Sequence, residues 1–183
     1  TNFNGVVDNW DVSNITNFSN FFHGSQCNQD CNNWNISKAT NLVSIFEDTP
    51  FNKSLSKWDL SSVTTTSSMF GTNTAFNQDI SMWNVSSLTT AVTMFSGATA
   101  FNQSLALWDV TALSGNQLTF FGGGSGLSTA NYDATLIGWA AQNVNSGVSI
   151  NFGSSQYTAG GEAAAARATL VTKGWTITDG GTA

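Results

Sequence analysis

The 183-residue chain carries five Lys plus Arg against 11 Asp plus Glu, a net charge of −6 with only 9% of residues charged. That balance excludes a nucleic-acid backbone as partner, because such binding needs clustered cations, and no apolar run approaches the roughly 18 residues of a membrane span. An aromatic content of 12%, with seven Trp and 13 Phe, excludes disorder, since those rings need a core to fill.

In chain order, the first organised feature is a repeat. Trp10, Trp34, Trp58, Trp83 and Trp108 recur at 24, 24, 25 and 25 residues, inside "WDVSNIT", "WNISKAT", "WDLSSVT", "WNVSSLT" and "WDVTALS". An aromatic follows at fixed distance, as Phe22, Phe46, Phe70, Phe95 and Phe120. The extra residue of the longer units falls in "GTNTA" and "SGATA", where a loop absorbs it at little cost. Each unit is too short to bury its own apolar face, so the units must stack. "LSKWDLSSV" follows the L-x-x-L-x-L phrase of leucine-rich repeats with Trp in the middle slot. Alternation across Trp58, Asp59 and Leu60 turns the apolar residues inward and the acid outward, as a short strand requires.

After "FGGGSG" the composition changes. "STANYDATLIGWAAQ" places Tyr132, Leu136 and Trp139 on one helical face, "VSINF" reads as a strand, "GEAAAARATLVTKG" as an Ala-rich helix closed by Gly174, and "GWTIT" as another strand. The expected architecture is an α/β solenoid with a leucine-rich-repeat-like parallel sheet of about seven short strands. Residues 1–125 form five repeats and 126–183 an α/β cap, together one structural domain.

Stacking converts sequence columns into surface rows. Asn4, Asn28, Asn52, Asn77 and Asn102 form an amide row suited to satisfying backbone groups. The outward residues of the Trp segments are Asp11, Asn35, Asp59, Asn84 and Asp109. Adjacent carboxylates about 4.8 Å apart repel by roughly 0.9 kcal/mol even in water, so alternation with Asn makes the row tolerable. A ligand-binding role for the row, or one assisted by Ca²⁺, is the competing reading. Ser61 and Ser86 belong to one flanking column, and Asn9, Asn33, Lys57, Met82 and Leu107 to the other. Exposed Met82 and Leu107 beside Asp109 mark the first place to expect a partner. Thr16, Thr40, Thr64, Thr89 and Ser114 form a further row, which raises ice binding as a third possibility. The Trp column fills the slot of a core Leu and is expected to be buried.

The units resemble the roughly 25-residue repeats of bacterial surface proteins of the BspA-like or DUF285 type, in which F-N-Q-D-[LI]-x-x-W-[DN]-V-S and a later M-F recur. "FNQDISMWNVSSLTTAVTMF", Phe76 to Phe95, carries that pattern, and "NYDATLIGWAAQ" with "GWTITDGG" resembles the segment that follows such arrays. The resemblance implies an extracellular, surface-exposed protein of adhesin type, of which this sequence is a segment. It supplies no catalytic motif and no ligand residues. Cys27 and Cys31, the only cysteines, replace Phe and Leu of sister units together. A metal site or a catalytic thiol would have only His23 to draw on. Coupled replacement, with the oxidising compartment the resemblance implies, favours a Cys27–Cys31 disulfide. Such a bond needs its Cα atoms within about 7 Å, so it would make "CNQDC" a bend.

No paired acids, triad or phosphate loop suggests an enzyme, and the residues alone imply no cofactor beyond a possible Ca²⁺. The leading expectation is a non-enzymatic domain that binds a protein, peptide or glycan of a host or neighbouring cell. A spacer or homodimerisation module is the alternative.

Overall fold

Each repeat is shaped by two tight turns on either side of its Trp. In the third unit the Trp58 N–H donates to the Leu55 carbonyl at 3.1 Å, and the Val63 N–H to the Leu60 carbonyl at 2.9 Å. The same pair recurs in every unit, from Trp10 to Val7 and Ile15 to Val12 through to Trp108 to Leu105 and Leu113 to Val110. The computed structural model describes residues 1–183.

These turns overturn the expectation of a strand at each Trp. Trp58 and Leu60 do point inward, 3% and 1% exposed, and Asp59 outward. Only the residue between two turns is left, however, and amides closed into turns cannot form a ladder. The units join further along the chain. Asn17, Asn41, Thr65 and Thr90 pair in parallel as isolated bridges. Beyond them Phe18, Asn20, Phe22 and Gly24 donate their N–H groups to the carbonyls of Asn41, Val43, Ile45 and Glu47, at 2.8, 2.9, 3.1 and 3.0 Å. The intervening amides close turns within the unit, Phe21 onto Phe18 and His23 onto Asn20. The alternation requires left-handed backbone at two positions per unit: Asn20, Ser44, Ser68 and Thr93 have φ of 59°, 55°, 54° and 56°, and Gly24, Asp48, Thr72 and Gly97 have φ of 62°, 52°, 53° and 75°. This is turn stacked on turn, with neither helix nor strand dihedrals sustained.

The regular sheet therefore has four strands and not seven, and the leucine-rich-repeat-like α/β architecture is not what forms. The elements are β1 (Phe95–Ser96), β2 (Asn116–Gly122), α1 (Thr129–Ala140), β3 (Ser149–Phe152), α2 (Glu162–Thr172) and β4 (Thr176–Thr178). All strands pair in parallel in the order β1-β2-β3-β4. The sheet begins where the repeat loses its regularity. Gln117, fully buried, takes the Ala91 N–H on its Oε1 at 2.6 Å and donates to the Ser114 carbonyl at 2.7 Å. One extra residue in this unit shifts the aromatic column by one position. Phe121, not Phe120, pairs with Phe95 and stacks on it at 5.2 Å, while Phe120 meets Phe95 edge-on.

The units share one core of 46 buried residues running from Val7 to Trp175. Two aromatic columns organise it. Trp34, Trp58, Trp83 and Trp108 are 4%, 3%, 4% and 1% exposed, with Trp34 and Trp58 stacked at 6.5 Å. Phe22, Phe46, Phe70 and Phe95 stack at 5.8 Å per step. Each buried indole finds a polar partner one unit back. The Nε1 of Trp34, Trp58, Trp83 and Trp108 donates to the carbonyls of Val7, Cys31, Leu55 and Ile80 at 2.9 to 3.0 Å. Such a bond satisfies both a ring N–H and a carbonyl that water cannot reach.

The two helices continue the columns by other means. Tyr132, Leu136 and Trp139, spaced on one face of α1, are all fully buried, and Trp139 donates to the Leu105 carbonyl at 2.8 Å. α1 lies so close to the fifth unit that a Cβ on Gly138 would come within 2.2 Å of the Ala106 carbonyl oxygen. α2 turns small residues inward, Ala163 and Ala166, with Leu170. It ends at Gly174, whose φ of +93° suits glycine.

Cys27 and Cys31 are free thiols, not a disulfide, and both are buried at 0% and 1% exposure. Cys27 stands in the column of Phe51, Phe76 and Phe101, and Cys31 in that of Leu55, Ile80 and Leu105. No backbone turn bond closes between them. The first bond of that kind runs from Trp34 N–H to the Cys31 carbonyl, so "CNQDC" is not the bend a bridge would impose. Burial above all pushes the Cys31 thiol far above its ordinary value, with the neighbouring Cys27 and Asp30 adding to the rise. Burial likewise raises Cys27.

Candidate ligand-binding face

The Asp/Asn row stands on the second turn of each unit. All five residues, Asp11, Asn35, Asp59, Asn84 and Asp109, are exposed. Each turns one side-chain oxygen back to hold its own turn. Asp11 Oδ1 accepts the Ser13 N–H at 3.0 Å and the Ser13 hydroxyl at 2.7 Å. Asn35 takes the same two donors from Ser37, Asn84 from Ser86, and Asp109 from Thr111. Asp59 accepts the Ser61 N–H at 2.9 Å. The Ser13 hydroxyl, then its N–H, holds the Asp11 carboxyl below the usual range, and the Ser61 N–H does so for Asp59. Asx and Ser chemistry is thus the local reason for the turn.

The second oxygen of each Asp and the amide nitrogen of each Asn make no hydrogen bond within the chain. The outward edge of the row therefore alternates acceptor and donor from unit to unit. No group of three or more His, Cys, Asp or Glu is placed to hold a metal ion. Ca²⁺ takes six to eight oxygen ligands, and here Asn separates the carboxylates while each Oδ1 is committed to its own turn, so the donor set does not fit that ion.

The flanking column changes character along the stack. Lys57 donates from Nζ to Asn33 Oδ1 at 2.7 Å. The next two positions are Met82, 79% exposed, and Leu107, 68% exposed. Ser61 is half-buried and Ser86 exposed. Beside Met82 lies a hollow of about 130 Å³ lined also by Ser56, Gln78 and Asp79. Asp79 escaped the sequence reading, although Asp30 and Asp79 alternate with Ser54 and Ser104 in a column of their own. It repeats the turn-holding role by accepting the Ser81 N–H at 2.9 Å, and that contact, with the Ser81 hydroxyl second, holds its carboxyl below the usual carboxylate range.

Two other rows serve the stack itself. Asn28, Asn52, Asn77 and Asn102 each donate their backbone N–H to the side-chain oxygen of the Asn one unit back, at 2.9 to 3.1 Å. Thr40, Thr64 and Thr89 are exposed, and each hydroxyl donates to the carbonyl of the Thr one unit back. A buried group also went unread. Asp179, 4% exposed in its side chain, accepts from Tyr132 Oη and from Nε of Arg167, the only arginine, both at 2.7 Å. This cluster ties α1, α2 and the end of β4 together.

A stack of aromatic-cored turns with one continuous, polar, solvent-facing row is the class of protein this geometry defines. The chain belongs to the family described as Mycoplasma protein of unknown function, DUF285, whose model matches residues 1–50 and 25–130. No curated protein and no solved structure matches it.

Proposed function

We propose that this chain is a non-enzymatic recognition domain of a bacterial cell-surface adhesin, and that it binds a protein, peptide or glycan across the face bearing the Asp/Asn row. The observation that carries this reading is the pair Met82 and Leu107, 79% and 68% exposed at the same position of consecutive units. Large apolar side chains adjacent on a surface otherwise made of short polar groups are a feature of contact sites. The alternating free acceptors and donors beside them suit sugar hydroxyls or an extended peptide backbone. A stack tied by inter-unit bonds loses little conformational freedom on binding, so contact energy is not spent on ordering the platform. The surface location rests on the family resemblance.

Immobilised domain is exposed to a glycan array and to candidate host surface proteins. The double variant Met82→Asp with Leu107→Asp is expected to weaken any binding found by tenfold or more, on the order of a hot-spot loss, while its melting temperature stays unchanged. Retained affinity in that variant removes the proposed face. The same apolar pair supports a second reading, self-association through Leu107. Sedimentation separates the two, since a concentration-independent monomer excludes self-association.

A further inference from the structure

A second hollow, of about 200 Å³, opens across three units in the middle of the stack and shares no residue with the Asp/Asn row or its flanking columns. It is lined by Glu47 of the second unit, Ser68, Gly71 and Thr72 of the third, and Thr93 and Ser96 of the fourth. The space comes from one missing side chain. Gly71 stands between Glu47 and Ser96 in a column that reads His23, Glu47, Gly71, Ser96. Its backbone is not left-handed, so glycine is not needed there for its conformation. A Cβ would lie 3.2 Å from Glu47 Oε1 and narrow the space beside that carboxylate. Thr72 points the same way. Its φ of 53° lies in the region that favours glycine, and Gly24, Gly97 and Gly123 hold the same position in other units. Beside the hollow a β-branched hydroxyl residue is kept despite the strain.

The hydrogens of three lining hydroxyls are already committed. Thr72 Oγ1 donates to the Gly71 carbonyl at 2.8 Å and Thr93 Oγ1 to the Val92 carbonyl at 2.7 Å. A hydroxyl has one hydrogen, so the 2.7 Å contact between Ser68 Oγ and Thr93 Oγ1 uses that of Ser68. The oxygens of Ser68 and Thr72 accept nothing within the chain, and neither does either oxygen of the half-buried Glu47 carboxylate. The protein's one ion pair joins Arg167 to Asp179, so no cation of the chain neutralises Glu47. Only Ser96 Oγ has a hydrogen left to offer. The hollow therefore presents one negative charge and an excess of acceptors, held in place by three stacked units.

We propose that this hollow is a binding site for a primary ammonium group, and that its occupant is the side chain of an exposed lysine on a partner protein. An ammonium brings three hydrogens and the opposite charge on one compact head. That matches the free acceptors of Glu47, Ser68 and Thr72 in number. A ligand hydroxyl brings one hydrogen and leaves the carboxylate uncompensated, and a divalent cation finds a single carboxylate. The volume falls below the roughly 300 Å³ at which sites for drug-sized molecules begin, which suits a head group on a slim alkyl stem. No aromatic ring lines the hollow for a pyranose to lie on, which favours lysine over an amino sugar. The net charge of −6 draws a lysine-bearing partner toward the chain before contact. The site does not rest on the function proposed for the Asp/Asn row.

The probe is Nα-acetyl-lysine amide, titrated into the isotope-labelled full chain and followed by NMR shifts of the backbone amides. Saturable shifts are expected at Gly71, Thr72 and Ser96. Glu47→Gln keeps the shape of the side chain and is expected to weaken the affinity by at least about tenfold, as loss of a charged hydrogen-bond partner does. The spectrum outside the hollow stays as before, because the Glu47 side chain holds no bond in the fold. Gly71→Ala narrows the hollow without touching the charge and is expected to weaken the probe as well. Asp48→Asn removes the same charge one residue away, from a carboxylate turned toward Gly24, and is expected to change the affinity less than about twofold. Acetylating the probe's side-chain amine abolishes the shifts. Unweakened binding in both Glu47→Gln and Gly71→Ala overturns the proposal. So does equal weakening by Asp48→Asn, which reduces the effect to general charge, and so does binding of the acetylated probe. Tighter binding of Nα-acetyl-arginine amide or of a chitosan oligomer also overturns it, by assigning the hollow to a guanidinium or an amino sugar.

Discussion

The indole N–H of Trp58 donates to the carbonyl of Cys31 at 2.9 Å, joining residues 27 positions apart in the chain. The bond is repeated with Leu55, Ile80 and Leu105 as acceptors, so the Trp column stitches the stack as well as filling it. Trp58→Phe keeps a ring in the column and removes one of the two hydrogen bonds that the Cys31 carbonyl accepts, the other coming from the Trp34 N–H at 3.0 Å. The expected loss is about 0.5 to 1.5 kcal/mol, the net worth of one hydrogen bond, against about 3 to 5 kcal/mol for Trp58→Ala. Denaturant unfolding of both variants measures the difference.

Gly138 is where α1 meets the fifth unit. Adding a methyl there places carbon within 2.2 Å of backbone oxygen, which cannot rotate away. Gly138→Ala is expected to destabilise by at least about 1 to 3 kcal/mol through forced displacement of the helix. Ala141→Gly, at the exposed end of the same helix, serves as the control and costs less than about 1 kcal/mol. Thermal melts that rank the two in the opposite order contradict the packing described.

Asp179 accepts from both Tyr132 and Arg167, and its side chain is 4% exposed against 24% for Arg167. Asp179→Ala leaves the Tyr132 hydroxyl without its acceptor, while Arg167 keeps the Ile177 carbonyl at 3.1 Å and some contact with water, so the expected cost is below the about 3 to 5 kcal/mol of a fully buried pair and above that of Tyr132→Phe. Tyr132→Phe removes one hydrogen bond and costs about 1 kcal/mol. A double-mutant cycle between Asp179 and Arg167 isolates their coupling, and additivity of the two losses shows that the pair does not bind the helices together.

Asp11 titrates below the ordinary carboxylate value, chiefly because of the Ser13 hydroxyl and then the Ser13 N–H. A depressed folded-state value favours folding at pH above about 3.9, the unfolded value. That contribution is lost as pH falls from there through the folded value. In an NMR titration the Asp11 midpoint is expected below about 3.9, and Ser13→Ala is expected to raise it. An unmoved midpoint in that variant assigns the shift to something other than the turn.

Both cysteines are buried and their thiols are held in the protonated form, mainly by burial. The folded protein is expected to react slowly with a thiol reagent at pH 8, because the thiolate is the reactive species. After unfolding without reductant it should yield two titratable thiols. A mass two units lower that reductant restores indicates a bridge instead.

The repeat, its 24- and 25-residue spacing and the inward Trp and outward Asp columns are all determined by sequence, because stacking identical coils leaves each position one environment. α1, α2, β3 and β4 were legible for a related reason: apolar spacing, Ala content and the stop at Gly174 are local signals. What only the tertiary structure decided is how the backbone spends its hydrogen bonds. The Trp-Asp-Val alternation suits a strand, but Asp11 and Ser13 close a turn in the same residues, and sequence does not show which of two satisfactory arrangements a neighbour will complete. The inter-unit bonds therefore fell on Phe18, Asn20, Phe22 and Gly24. One extra residue moved the column to Phe121, and an acid remote in sequence gave Arg167 its partner. Those outcomes depend on which groups meet across units, and no local pattern encodes that meeting.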